Sequence, residues 1–105
     1  MELNELIMDN GMLMENYYKR QIYKFVERCN DIQNISDEKL VDLDKRMDHI
    51  LDESYGKINR ILWCEFYDIY AFIHNWNLNL FDYRTKHDIE ELYTLINSIK
   101  VIKGL

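Results

Sequence analysis

The chain has 105 residues, a formal net charge of −6, a 48% hydrophobic fraction, two cysteines and no proline. That length suits one domain, residues 1–105, with enough apolar side chain for a real core. No apolar run approaches the roughly eighteen residues of a membrane span, the N-terminus MELNELIMDNG is acidic where a secretory signal is basic, and the negative charge disfavours direct nucleic-acid binding. A cytoplasmic protein is expected, with no membrane association.

The missing proline leaves long helical windows unbroken, and the spacing predicts an all-α bundle of about four helices without a sheet. Thirteen isoleucines and ten asparagines against a single alanine, Ala71, are the usage of a low-GC genome such as a bacterium, a phage or a mobile element. In helix one, about Leu13 to Cys29, Met14, Tyr17, Tyr18, Ile22, Phe25, Val26 and Cys29 recur at three and four. Leu3, Leu6 and Ile7 either form a separate turn stopped at Asp9, Asn10 and Gly11 or continue in register as one longer helix. Ser36 is an N-cap candidate for helix two, followed by Asp37 and Glu38 at the positive end of the dipole.

Helix two, to about Ser54, carries a narrow stripe of Leu40, Leu43, Met47, Ile50 and Leu51, which predicts an edge position with most of its surface wet. Tyr55 and Gly56 end it, with glycine in the left-handed position. Helix three, Ile58 to Trp76, is apolar on two sides. At about 100° per residue, Ile58, Ile61, Leu62, Phe66, Ile69, Phe72, Ile73 and Trp76 share one arc, and Trp63, Tyr67, Tyr70 and His74 nearly oppose it. The segment NLNLFDYR that follows lacks a helical period and reads as an aromatic loop or a short extended piece near 77–83. Thr85 and Asp88 resemble a capping box opening helix four, which buries Ile89, Leu92, Tyr93, Leu95, Ile96, Ile99 and Ile102 and stops at Lys100, Lys103 and Gly104.

Three groups of residues are candidates for function. The first is acidic: Asp44, Asp48 and Asp52 stand at successive i+4 positions of helix two, with Asp42 and Glu53 on nearby rows. Like charges at this spacing cost a helix a few tenths of a kcal/mol per pair, and aspartate is a weak helix former. The row therefore serves something besides helix stability, either a basic partner surface that it steers or plain solvation with loose pairing to Lys45, Arg46 or the Arg20, Lys24, Arg28 row. The second is aromatic: Trp63, Tyr67, Tyr70 and His74, with Tyr83 and Arg84 after the loop, are residue types that dominate protein interfaces, or else core under neighbouring helices. Trp76 and Phe81 belong to the core on the same grounds. The third is Glu65, an acid within the main apolar arc, read as a paired or rim-reaching carboxylate or as a site with a raised pKa.

Catalytic and metal signatures are sparse. His49, His74 and His87 fall on different helices without ligand spacing, no glycine-rich phosphate loop occurs, and Cys64 and His74 lie about 15 Å apart along one helix. No cofactor, metal or catalytic residue is expected, and Cys29 and Cys64 read as free thiols. In size and charge the chain is similar to small acidic helical proteins that protect a bacterium from its own toxin and to phage inhibitors of host defence, a general likeness that no motif carries. These readings lead to a protein-binding inhibitor or adaptor, immunity-protein-like, for a target with a basic surface. A homodimer packed through the second aromatic arc is the alternative, and a small enzyme using Glu65 is the third.

Overall fold

The computed structural model describes the backbone of residues 3–78 and 84–102 and the side chains of residues 14–78 and 84–102. Four helices follow one another: α1 (Leu3–Cys29), α2 (Asp37–Ser54), α3 (Arg60–Asn77) and α4 (Lys86–Val101). No strand occurs among the described residues, and none of the described helices is long and apolar enough to cross a membrane. The all-α bundle is therefore the architecture, and α1 is the single long helix of the two alternatives, running through Gly11 without a stop.

The helix starts are local chemistry. The Ser36 hydroxyl accepts from the Lys39 amide at 3.3 Å, and Thr85 accepts from Asp88 at 3.3 Å, so each cap satisfies one of the orphan donors of a first turn. Asn59 caps α3 through its side-chain oxygen, 2.8 Å from the Ile61 amide and 3.4 Å from that of Leu62. This places the helix start two residues later than the apolar period suggests, because Ile58 is apolar but lies before the cap. Gly56 has φ 76°, the left-handed conformation that a side chain disfavours, and it turns the chain between α2 and α3.

One continuous core joins all four helices. Ile22, Phe25, Val26 and Cys29 of α1 meet Leu40, Leu43, Met47, Ile50 and Leu51 of α2, the Leu62, Phe66, Ile69, Ile73, Trp76 row of α3, and Ile89, Leu92, Ile96 and Ile99 of α4. Burying a side chain of this kind contributes about 1.5–3 kcal/mol. The main arc of α3 is thus the centre of the molecule, except that Ile61 is exposed and Phe72 only half-buried. In α4, Tyr93, Leu95 and Ile102 are partly buried against the core rather than inside it.

α3 touches each of the other helices, whereas α2 contacts α1 and α3 but not α4. The outer face of α2 is exposed, as its narrow stripe predicts. Yet its interface with α3 is the most extensive in the bundle. The polar flank of the stripe supplies the additional contact, and that flank is the acidic row.

Candidate functional site: the α2–α3 groove

The second aromatic arc of α3 and the i+4 acids of α2 face each other along one seam. Asp44, whose side chain is 15% exposed, accepts a hydrogen bond from Asn77 Nδ2 at 2.7 Å and lies 3.1 Å from His74 Nδ1. The Asn77 amide also reaches the Leu40 carbonyl at 3.2 Å, and the Tyr70 hydroxyl is 3.3 Å from His74 Nδ1. Tyr70 is held well above the ordinary phenol range, first by burial and then by the negative charges of nearby Asp44 and Asp48. At the far end of α2, the Trp63 indole N–H donates to the Leu51 carbonyl at 2.9 Å, satisfying one of the helix's last-turn acceptors.

The rings form a ladder. Tyr55 meets Trp63 edge to face at 5.3 Å between centroids, Trp63 and Tyr67 stack at 5.6 Å, Tyr67 and Tyr70 lie 6.1 Å apart, and Tyr70 stacks on His74 at 5.4 Å. Such pairs contribute about 0.5–1.5 kcal/mol beyond area burial. The seam therefore has two halves. The Asp44, His74, Tyr70, Asn77 end is closed by hydrogen bonds. The opposite end opens into a cavity of about 300 Å³ lined by Asp48, Leu51, Asp52, Tyr55, Trp63, Tyr67 and Tyr70.

The remaining candidates are dispersed. Asp42 pairs with Arg46 at 2.8 Å and Glu53 with His49 at 2.9 Å, both along the exposed side of α2, where such pairs contribute about 0–1 kcal/mol. None of the ion pairs among the described residues joins these acids to Arg20, Lys24 or Arg28, and Arg28 instead lies over the Phe25 ring. Arg84 is directed into the fold: its guanidinium donates to the Ile32 carbonyl at 2.8 Å and the Ile35 carbonyl at 2.6 Å, and reaches Asp37 at 3.3 Å, tying α4's start to the α1–α2 connection. Tyr83, Phe81 and most of the 77–83 segment lie outside the described residues; Asn77 within it is the last residue of α3. Glu65 is half-buried, and its Oε2 is buried without a hydrogen-bond partner among the described residues. His87 pairs with Glu91 at 3.2 Å on the surface of α4.

Both cysteines are free, Cys29 buried and Cys64 exposed. Burial pushes the Cys29 thiol from 9.0 to about 12. Among the described residues no three His, Cys, Asp or Glu side chains are grouped as a metal ion requires. Tyr55 and Asn77, which sequence reasoning placed only as a helix end and a loop residue, are members of the seam. Asn77 carried no signal, and Tyr55 carried one only in its position one turn after Asp52.

No protein-family model, no curated protein and no solved structure matches the chain.

Proposed function

We propose that the chain is a protein-binding module, a stoichiometric inhibitor or adaptor of a partner with a basic surface, which it engages through the open half of the α2–α3 seam. One observation carries this reading: the exposed carboxylates of Asp48 and Asp52 have no ion pair among the described residues and stand beside the exposed rings of Tyr55 and Tyr67. Charge of one sign next to rigid aromatics is the composition of an interface hot spot with electrostatic steering. The net charge of −6 adds a long-range attraction for basic surfaces. Asp42 and Glu53 add charge from the adjoining row, since weak exposed pairs are readily exchanged for a partner's cations.

Asp44 has a different part in this reading. Its bonds to Asn77 and His74 hold α2 against α3, so replacing it tests stability together with binding. The informative variant is therefore the double substitution Asp48→Asn/Asp52→Asn. With a partner captured from the native host and purified, this variant should keep the wild-type circular dichroism spectrum, associate several-fold more slowly and show a flatter dependence of association rate on ionic strength. An unchanged rate and an unchanged salt slope would remove the steering role.

A further inference from the structure

The open end of the seam is more specific than a negative surface. Its cavity of about 300 Å³ is at the small end of ligand sites and has room for about one side chain. The walls are the rings of Tyr55, Trp63, Tyr67 and Tyr70, and the polar rim is Asp48 and Asp52. No basic residue lines it. The two cations that follow α2 in sequence are directed elsewhere: Lys57 lies over the Tyr18 ring at 5.7 Å, and Arg60 lines the adjoining cavity beyond Tyr55 and Trp63.

The cavity lies between the C-terminal turn of α2, the negative end of its dipole, and the first turn of α3, the positive end of the next, so the two backbone ends largely offset each other and the charge of the site comes from side chains. The last turn of α2 has no basic residue and carries Asp52 and Glu53 instead. Two carboxylates one turn apart, set beside aromatic walls, form a site that has no ion pair among the described residues. An external cation supplies one.

Resting on the partner-binding reading above, we propose that this groove is a side-chain cation site that takes an arginine guanidinium of the partner. A guanidinium is planar, stacks on aromatic rings, and donates through several N–H groups to two carboxylates at once. A lysine ammonium is a compact and strongly hydrated charge that gains less from stacking. A quaternary ammonium has no N–H to donate to Asp48 or Asp52. Arginine is the cation whose shape and donors meet both the walls and the rim.

The two tryptophans make the test internal. Trp63 lines the groove, and Trp76 is 1% exposed in the core, so the indole N–H resonance of Trp76 serves as a reference for that of Trp63. Titration with the capped peptide Gly-Arg-Gly should shift the Trp63 resonance saturably and leave Trp76 in place. The lysine peptide should bind at least fivefold more weakly, and the uncharged citrulline peptide should give no saturable shift. Asp48→Asn/Asp52→Asn should abolish the arginine response. Tyr67→Leu, which removes one wall and no charge, should weaken it and supplies the test if the double variant does not fold.

Equal binding of citrulline would overturn the site as a cation site. Equal binding of lysine or tetramethylammonium would overturn it as an arginine site. A retained response in the folded double variant would overturn the role of the two aspartates. If the peptides fail to bind while partner capture stays salt-sensitive, the pocket falls and the steering surface stands. If the arginine peptide binds but no partner associates, the pocket stands and the inhibitor reading falls.

Discussion

Arg84 occupies the left-handed region at φ 45°, a conformation that costs a non-glycine residue of order 1 kcal/mol, and its guanidinium is anchored on the carbonyls of Ile32 and Ile35. Hydrogen bonds from a charged donor to acceptors in a partly buried setting contribute about 1.5–3 kcal/mol. Arg84→Met should therefore lower unfolding stability by about 2 kcal/mol, read from the urea midpoint, because the methionine fills the space and leaves the carbonyls without their donor. As an interfacial arginine the residue would instead change binding with stability intact. Sequence alone offered Arg84 as an interface residue because its type and its place after an aromatic loop fit one. Its actual partners are some fifty positions away in the chain, a separation that no local pattern reports.

At the scale of elements, the helix boundaries obey rules that span three or four residues. Ser36 and Thr85 act on amides three positions ahead, and Gly56 supplies its own φ, so these features are readable before any tertiary contact is known. Ser36→Ala and Thr85→Ala should each cost about 1 kcal/mol in denaturant unfolding, with the helical content of the folded state retained. The local period hides Asn59, because an apolar residue at Ile58 and another at Ile61 make it look continuous across the cap. It also understates the contact of α2, of which the narrow stripe is only part. Apolar spacing is blind to interactions such as Asn77 to Asp44 and Trp63 to the Leu51 carbonyl, in which a polar flank packs through hydrogen bonds.

For the molecule as a whole, burial ties stability to alkaline pH. Cys29 in the core is raised from 9.0 to about 12, and Tyr70 in the seam is also raised, mainly by burial and then by Asp44 and Asp48. Both groups keep their protons in the folded state at pH values where the unfolded chain has released them. Their contribution is complete below pH 9.0, the unfolded value for Cys29, and is lost as pH rises towards about 12. Urea midpoints should fall between neutral pH and about pH 11, and Cys29→Ala should fall less steeply over the same range. The outcome that contradicts this is a midpoint independent of pH across that interval.

The sequence by itself determined that the chain is helical, where α2 and α4 begin, most of the residues that form the core stripes, and that α3 has a second aromatic side. These properties depend on periodicity and on caps, whose causes lie within a turn or two of the residue concerned. Only the tertiary structure decided what that second side meets. Asp44, Asp48 and Asp52 read as an exposed row, solvated or facing a partner, and Trp63, Tyr67, Tyr70 and His74 as a separate surface, yet the chain turns at Gly56 after α2, and α3 lays one row along the other. Which flank of a helix faces its neighbour is set by how the side chains of both pack at their crossing, a property of the pair of helices and of neither one alone.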